Sequence, residues 1–527
     1  MKLYNDVGKR LKLENKFVCK VVNSNILNRR CIMKCFVIVV CLLSIFPLAR
    51  SDKGRAELED GATTDVGYYS GGYGYYFDPY YSPETDSSQI QFLEQLYDNL
   101  GGTLWTYSGT GAEWSFPVDD SYDYDEVNPC IDNWEGITCE PCSGSGATCY
   151  ISGISLSGFN LRGSMKNMTD FVDMTTLTVF DVGANHITSG IPSTLASCTS
   201  LTLLNMENNY ISGNIPSELS PLVGLAEMYL SSNCLDGMIP TELSALTDLS
   251  MFSLASNKLT GNIPVELSSL VKLVAVQLQN NDLDGAIPDI FGSMDVLTYL
   301  DLGANSLSGE LPSSLLRSFN NLTMLDVSYN ALGSTIPTTV GLVTSLSMLY
   351  LNNNKFTSAI PTEIGFLSSL EQLYLYSNQL NFLPDNINAL TSLTNLRVDD
   401  NELTGSLPST LTEMTGLLTF NASANLFSST FPSLLGDMVG LTALYFESNS
   451  ITGSLPDVFG SMTELMGLSL EANGITGAFP SSLYSLSKLS FLAMGSNKLH
   501  GTIETVLGEL TQLEVLGLEA NDLSGRI

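Results

Sequence analysis

Aromatic and charged side chains recur at a regular spacing in the second half of this 527-residue chain. They fall into two columns that are offset by two residues, and members of one column are separated by 23, 24 or 48 residues. The set, named here the tyrosine patch, consists of Tyr350, Tyr374, Tyr376, Arg397, Asp399, Tyr445 and Glu447. Tyrosine and arginine are enriched at the energetic centres of protein interfaces. This composition predicts a ligand-binding surface; the alternative is that strands favour aromatic residues for packing alone.

Arg397 is conspicuous because basic residues are scarce in this part of the chain: residues 51–527 hold 12 Lys and Arg against 53 Asp and Glu. A guanidinium donates to carboxylate, sulfate or phosphate oxygens in a planar fork. Two interpretations therefore stand side by side. Arg397 binds an anionic group of a ligand, or it pairs with Asp399 of the same chain.

A cluster of four cysteines predicts disulfides. Cys130, Cys139, Cys142 and Cys149 fall within twenty residues, which is typical of an oxidising compartment. We favour the pairs Cys130–Cys139 and Cys142–Cys149, although four cysteines allow three connectivities. The alternative is zinc, because Cys139 and Cys142 have the spacing of metal ligands. Cys198 occupies a leucine position and is expected to be buried and inert.

Signatures of catalysis are missing from the sequence. The chain has two histidines, His186 and His500, with no nucleophile beside either, and no G-x-S-x-G, P-loop, HExxH or kinase motif set. The acidic run around Asp119, Asp120, Asp123 and Asp125 lacks the glycine and the distal glutamate of an EF-hand loop. The sequence thus predicts a protein that is not an enzyme and that needs no cofactor and no metal.

The residues of the tyrosine patch are positioned by a repeat of about 24 residues. An asparagine marks each repeat, with apolar residues at positions −8, −5, −3 and +2 from it, often glycine at +4, and an apolar residue and proline at +6 and +7. These ladder asparagines are Asn185, Asn209, Asn233, Asn257, Asn281, Asn305, Asn330, Asn354, Asn378, Asn401, Asn425, Asn449, Asn473, Asn497 and Asn521. The period predicts a leucine-rich repeat solenoid.

Alternation within each repeat predicts which residues face outward. Positions −5 and −3 point into the core from a short strand, and positions −6, −4 and −2 point out. We therefore expect an α/β solenoid, a right-handed curved superhelix whose parallel β-sheet lies on the concave face. The −6, −4 and −2 residues form that face, and the tyrosine patch lies on it. The ladder asparagine should bond backbone groups that the turn leaves unpaired, and the repeat at Asn378, which is one residue short, should be irregular.

The first 51 residues differ from the rest. Residues 33–51 have a charged start, an apolar run from Cys35 to Ala49 and a small-residue exit. This pattern predicts a cleaved signal peptide preceded by an upstream extension over residues 1–32. The alternative is a basic cytoplasmic tail before an uncleaved signal anchor, which would attach the protein to a membrane through residues 35–49. Both interpretations place the repeats outside the cytosol.

Three further segments follow. Residues 52–88 are rich in Tyr, Gly and acidic residues and predict a disordered linker. Residues 89–152 hold a helical stripe and the chain's three tryptophans, which predicts a cap over the first repeat. Residues 153–527 hold about sixteen repeats, beginning with Phe159 in the asparagine position. The last repeat stops incomplete at Ile527, which predicts a longer protein whose missing C-terminal part includes any further membrane anchor.

Charge excludes one class of partner. With 22 Lys and Arg against 55 Asp and Glu, the net charge is −33. Polyanions are repelled by such a surface. The sequence therefore predicts no binding to nucleic acid.

The frame LxxLxLxxNxLxGxIPxxLxxL resembles the plant-type leucine-rich repeat family of receptor-like kinases, receptor-like proteins and polygalacturonase-inhibiting proteins. The segment from Phe92 to Tyr97, Trp105 and the stretch from Cys130 to Cys139 resemble the family's N-terminal cap. The LeuTyr–GlyGly–Trp pattern in this cap is more similar to algal or protist members. The resemblance covers roughly residues 89–527 and implies a solenoid that recognises ligands outside the cell, without naming a ligand.

Three functions follow as hypotheses. The first is a receptor-like or secreted recognition protein that binds a peptide, glycan or protein on its concave face. The second is a secreted inhibitor of a wall-degrading enzyme, and the third is a structural or adhesive matrix protein. Sequons at Asn167, Asn321 and Asn421 predict N-glycans; a glycan on Asn421 would cover part of the tyrosine patch.

Overall fold

A computed structural model describes residues 85–116, 127–140, 148–166, 168–433 and 435–524 of the chain. The predicted extension, the signal segment and most of the Tyr-rich linker lie outside these ranges. So do Cys142, the sequon Asn167 and the acidic run from Asp119 to Asp125.

Each repeat contributes one short strand to a continuous sheet, because the apolar residue at −5 is anchored in the core while its neighbours at −6 and −4 face outward. Sixteen such strands run parallel in register, and strand Ile137–Cys139 pairs antiparallel with the first of them. The parallel strands are Ile151–Ser155, Val179–Asp181, Leu203–Asn205, Glu227–Tyr229, Met251–Ser253, Ala275–Gln277, Tyr299–Asp301, Met324–Asp326, Met348–Tyr350, Gln372–Tyr374, Asn395–Arg397, Thr419–Asn421, Ala443–Tyr445, Gly467–Ser469, Phe491–Ala493 and Val515–Gly517.

A second set of strands follows the ladder asparagines and pairs in parallel within five separate groups of neighbouring repeats. These strands are Arg162–Ser164, His186–Ser189, Tyr210–Asn214, Cys234–Asp236, Thr260–Asn262, Asp282–Asp284, Ser308–Gly309, Ala331–Leu332, Thr357–Ala359, Gln379–Phe382, Thr404–Gly405, Leu426–Ser429, Ser450–Ser454, Gly474–Ala478, Lys498–Thr502 and Asp522–Ser524. Where the repeat at Asn378 is one residue short, the pairing register shifts between Ser358 and Ala359. The predicted irregularity at this repeat is confirmed.

Each repeat returns to the sheet through a short helical turn. One of these turns is the α-helix Ser313–Ser318, and the others are 3₁₀ turns that follow a proline in most repeats, because proline fixes φ and supplies no N–H. The 3₁₀ turns of the repeats are Asp170–Asp173, Ser193–Ser197, Ser217–Leu219, Thr241–Ala245, Val265–Ser269, Asp289–Ser293, Thr338–Leu342, Thr362–Phe366, Asp385–Ala389, Ser409–Glu413, Leu435–Asp437, Phe459–Ser461, Ser481–Ser485 and Thr505–Glu509. A further 3₁₀ turn, Gly102–Leu104, precedes the first repeat.

The ladder asparagines connect one repeat to the next. In each of the fifteen, the side-chain Oδ1 accepts a backbone N–H of the preceding repeat. For Asn257, Nδ2 donates to carbonyl oxygens of Leu230 in the preceding repeat and of Leu254 and Ala255 in its own. These bonds pair backbone groups that the turn would otherwise bury without a partner. The expected role of the asparagine is confirmed.

The residue before each ladder asparagine has a left-handed backbone, with φ between 50° and 57° in all fifteen repeats. Apart from glycine, asparagine and aspartate adopt this conformation most readily. Most repeats carry Ala, Ser, Asn or Asp there, whereas one repeat carries Tyr329. A bulky side chain is therefore held in a strained conformation at this single position of the ladder.

The segment before the first repeat packs on that repeat through aromatic residues. Helix Ser87–Asn99 buries Ile90, Phe92, Leu93 and Leu96. Trp105 and Trp114 lie edge to face with ring centroids 4.9 Å apart, and Trp114 stacks on Trp134 at 5.5 Å. Two ring pairs join this segment to the first repeat: Phe92 and Phe171 with centroids 4.8 Å apart, and Tyr107 and Phe159 with centroids 5.7 Å apart.

The cysteines have separate roles. Cys130 and Cys139 form a disulfide with their Cα atoms 5.8 Å apart, so Cys139 is not available as a zinc ligand. Cys149 is also disulfide-bonded. Cys198 is fully buried, as predicted, and burial raises the pKa of its thiol to about 12. Among the helices that the structure describes, none is both long and apolar enough to cross a membrane.

Candidate ligand-binding site

The parallel register brings the central residues of the tyrosine patch side by side. Tyr350 lies opposite Tyr374, and Tyr374 lies opposite Arg397, on three neighbouring strands. Adjacent strands in a sheet are about 4.8 Å apart. Residues separated by 23 or 24 positions in the sequence are therefore neighbours on the concave face.

The two tyrosines at the start of the patch form a stack. The rings of Tyr350 and Tyr374 are 4.8 Å apart and inclined by 25°. The Tyr350 hydroxyl donates to Oε1 of Gln372 at 2.6 Å. Gln372, on the neighbouring strand, therefore fixes the orientation of the Tyr350 ring. Both tyrosines remain partly exposed. They offer a ligand an aromatic surface whose orientation is set before binding.

Arg397 lies at the centre of the patch and pairs within the chain. Its guanidinium carbon is 3.9 Å from the centre of the Tyr376 ring. Its Nε and Nη2 donate to the two carboxylate oxygens of Asp399, at 3.1 and 2.7 Å. Of the two interpretations left open by the sequence, the structure thus shows the internal ion pair. About a third of the Arg397 side chain remains exposed (35%).

The electrostatics of this cluster keep Arg397 charged and Tyr376 neutral. Burial acts to lower the pKa of Arg397, but Asp399, Tyr376 and Tyr374 together raise it by more, so the net shift is upward. Burial raises the pKa of Tyr376, and the neighbouring Tyr329 hydroxyl raises it further. Tyr376 therefore presents a phenol O–H, a group that both donates and accepts hydrogen bonds.

Tyr329 joins the patch, although the sequence did not predict it. Its hydroxyl is 3.2 Å from that of Tyr376, and half of its surface is exposed (53%). It is the tyrosine whose backbone has φ of 51°. A strained conformation held at an exposed aromatic residue is a pointer to function. The sequence signal was available: Tyr329 interrupts a column that otherwise holds small or short polar residues.

Tyr445 and Glu447 form a separate group on the same face. Tyr445 lies two strands beyond Arg397, with Asn421 on the strand between them. A Cβ on Gly467 would lie 2.5 Å from the Tyr445 hydroxyl, so the glycine leaves room for that ring. Glu447 accepts a hydrogen bond from the Ser469 hydroxyl. The seven predicted residues thus form one connected cluster of five and a second pair, separated by a sequon asparagine.

Two carboxylates precede the tyrosines on the concave face. Asp301 and Asp326 lie directly opposite each other on neighbouring strands. Each accepts one backbone N–H, from Gly303 at 3.0 Å and from Ser328 at 2.7 Å. Burial, and then the charge of Asp326, raises the pKa of Asp301 well above its ordinary value. Burial likewise raises the pKa of Asp326. The sequence had no signal for this pair beyond the column in which both residues fall.

The arrangement is suited to holding a ligand by stacking, hydrogen bonds and charge. His186 and His500 lie on the second set of strands, away from the concave face. Within the described part of the chain, no three or more His, Cys, Asp or Glu residues are grouped so that they could hold a metal ion.

Comparisons with known proteins agree with the repeat architecture. Family models of the leucine-rich repeat match residues 200–222, 271–332, 345–367 and 440–462. No curated protein matches the chain by sequence.

Similar solved structures include receptors. A TDR receptor is 29% identical, covers 70% of this chain and 68% of its own, and has a TM-score of 0.66. The plant peptide hormone receptor RGFR1 in complex with RGF2 is 27% identical over 71% of each chain, with a TM-score of 0.50. An LRR protein of Leptospira interrogans, LIC12759, is 25% identical over 69% of this chain and 94% of its own, with a TM-score of 0.57.

Proposed function

We propose that this chain, which belongs to the leucine-rich repeat family, is an extracellular recognition protein that binds a peptide or protein segment on its concave face. The observation that carries the proposal is the connected cluster of Tyr329, Tyr350, Tyr374, Tyr376 and the Arg397–Asp399 pair. The cluster is pre-organised by internal stacking and hydrogen bonds, so binding would order few side chains. Similarity to a peptide hormone receptor solved with its peptide supports the same function.

Aromatic side chains give this surface its binding capacity. Tyrosine contributes a large contact area with few rotatable bonds, and its hydroxyl pairs with polar groups of a ligand. In the cluster, four tyrosines and one guanidinium are held on four neighbouring repeats. The proposed activity is binding alone, with no enzymatic step.

An experiment with random peptides tests the proposal. A phage-displayed library of twelve-residue peptides is selected on the purified chain, and enriched peptides are measured by fluorescence anisotropy. We expect the double variant Tyr374→Ala/Arg397→Ala to weaken binding at least about tenfold, since hot-spot truncations cost roughly 2 kcal/mol or more. Unchanged affinity for every enriched peptide would overturn the proposed site.

Two controls keep this experiment interpretable. The variant Tyr210→Ala/Lys258→Ala also removes one tyrosine and one basic residue, but from positions outside the concave columns; it should bind normally. Removing Arg397 alone strands the carboxylate of Asp399, which is only 14% exposed. The pair Arg397→Gln/Asp399→Asn avoids an unpaired buried charge and serves as the second variant. Thermal unfolding of every variant checks the fold.

The extracellular location has its own support and its own test. A disulfide between Cys130 and Cys139 is typical of secreted proteins. Asn321 lies on an exposed turn within a sequon. After expression in a eukaryotic host, enzymatic removal of N-glycans should shift the mobility of the chain, and Asn321→Gln should reduce that shift. An unglycosylated chain would contradict passage through the secretory pathway.

A further inference from the structure

The concave face carries charge of almost one sign. Its outward positions at −6, −4 and −2 hold a single basic residue, Arg397. The acidic residues at these positions are Asp181, Glu207, Glu227, Asp301, Asp326, Asp399, Glu447, Glu471 and Glu519. The other lysines and arginines of the described ranges occupy positions outside these three columns. A ligand that docks on this face therefore meets a negative potential along most of its length.

The ion pair at the centre of the patch strengthens this conclusion. Asp399 compensates the charge of Arg397 through two hydrogen bonds. An anionic ligand would have to compete with that carboxylate and approach a face rich in further carboxylates. The one guanidinium is thus used mainly to order Tyr376 and Asp399 and gives the face little attraction for anions.

The Asp301–Asp326 pair places two facing carboxylates of raised pKa beside the tyrosines, and a ligand cation would favour their ionised form. The two carboxylates face each other across one strand spacing, and the nearest basic residue in their column is Arg397, three strands further along. The stack of Tyr350 and Tyr374 begins on the strand next to Asp326. A lysine or arginine side chain can bind a carboxylate with its head and a tyrosine ring with its stem or its charge.

We propose that the segment recognised on the concave face is a basic, extended peptide, whose lysine or arginine side chains contact the carboxylates between Asp301 and Glu447 and the tyrosine rings between them. This inference rests on the proposed function and names the chemistry of its ligand. From the strand of Asp301 to that of Tyr445 there are six strand spacings, about 29 Å at ~4.8 Å each. An extended peptide covers that distance with about nine residues at ~3.3 Å per residue.

The selection described above supplies an unbiased test, because its random twelve-residue peptides are longer than this span. We expect the enriched peptides to carry net positive charge, with at least two lysines or arginines. Their affinity for the chain should fall severalfold or more as the salt concentration rises from 50 to 300 mM, since salt screens charge pairs of this kind. Enriched peptides that are neutral or acidic would overturn the inference.

Matched variants separate a specific site from general attraction to an acidic protein. The triple variant Asp301→Asn/Asp326→Asn/Glu447→Gln replaces three carboxylates of the concave face, next to the tyrosines, with nearly isosteric side chains and should weaken binding of a basic peptide at least tenfold. The control Glu218→Gln/Glu242→Gln/Glu266→Gln replaces the same number of carboxylates on exposed 3₁₀ turns and should change affinity less than twofold. Equal losses in the two variants would overturn the inference.

The outcomes also distinguish this inference from the function on which it rests. Peptides that need Tyr374 but carry no positive charge would leave the proposed function standing and refute the basic ligand. Basic peptides that bind equally well without Tyr374 would refute both. A selection without any enrichment over the starting library would likewise count against both.

Discussion

Replacing one ladder asparagine should reveal how much a single side chain contributes to the stack of repeats. Asn257 is 2% exposed, and its Oδ1 accepts the backbone N–H of Leu235 at 2.9 Å. Its Nδ2 donates to three carbonyl oxygens, those of Leu230, Leu254 and Ala255. Alanine at this position removes four hydrogen bonds at once.

The expected loss in free energy of unfolding is smaller than the sum of four separate hydrogen bonds. The carbonyl of Leu230 also accepts from Asn233, that of Leu254 from Asn281, and that of Ala255 from the N–H of Ser232. Only the Leu235 N–H loses its acceptor. An orphaned buried donor costs about 1–3 kcal/mol, so Asn257→Ala should reduce the free energy of unfolding by about 2–3 kcal/mol.

Aspartate gives a sharper comparison because it has nearly the same shape as asparagine. In Asn257→Asp the Leu235 N–H keeps its acceptor, but a carboxylate oxygen faces three carbonyl oxygens in a buried site. We expect Asp to be more destabilising than Ala at pH 8, since an unpaired buried charge costs about 3 kcal/mol or more. Protonation of the aspartate relieves this repulsion, so the two variants should become closer in free energy of unfolding at low pH.

Urea unfolding followed by circular dichroism measures both variants, and hydrogen exchange of the Leu235 amide reports the local effect. Asn521 provides the comparison, because it makes the same four bonds but is partly exposed. Water can replace the side chain as a partner for the backbone groups there. Asn521→Ala should therefore reduce the free energy of unfolding by less than Asn257→Ala does. If Asn257→Asp were as stable as the wild type, the hydrogen-bond account of the ladder would be refuted.

Three further predictions concern the patch, the carboxylate pair and the disulfide. Tyr329→Asn should stabilise the chain by about 1 kcal/mol, because asparagine adopts a left-handed backbone with less strain. The same substitution should weaken the binding of an enriched peptide. Lower stability with unchanged affinity would contradict a role of Tyr329 in binding. Burial, and then Asp326, raises the pKa of Asp301, so the folded state loses stability as the pH rises through that pKa. Asp301→Asn should therefore raise Tm at pH 8. This gain in Tm should disappear as the pH falls towards about 4. A lower Tm of Asp301→Asn at pH 8 would contradict the destabilising effect of the Asp301 charge beside Asp326. Cys130→Ser/Cys139→Ser opens a loop with a sequence separation of 9 and should reduce the free energy of unfolding, measured with urea, by about 2–3 kcal/mol. Cys198→Ala should leave the sensitivity of the chain to reducing agents unchanged.

Much of the fold was predictable because one repeat dictates it. The apolar positions around Asn257 specify strand direction and core, and parallel stacking then places residues 24 apart side by side, as it does Tyr350 and Tyr374. The missing residue near Asn378 predicted a local irregularity, which the structure shows as a register shift in the second set of strands. The disulfide Cys130–Cys139 was predicted from spacing and compartment together.

The contacts within the patch were less predictable because they depend on side-chain conformations. Spacing placed Arg397 near Asp399, but it did not decide whether the guanidinium would pair with that carboxylate or remain available for a ligand. Tyr329 lies outside the outward columns and reaches Tyr376 only through its hydroxyl. The Asp301–Asp326 pair follows from register, but its raised pKa values depend on burial that no column reveals.

Tyrosine footprinting tests the central claim, that this chain recognises a ligand through its concave face, most directly. Oxidative labelling of the chain with and without an enriched peptide, read by mass spectrometry, compares Tyr374 with Tyr210. Tyr210 is an exposed tyrosine on the second set of strands (55%). We predict that the peptide protects Tyr374 and leaves Tyr210 unchanged. Protection of Tyr210 with no change at Tyr374 would show that the ligand binds elsewhere.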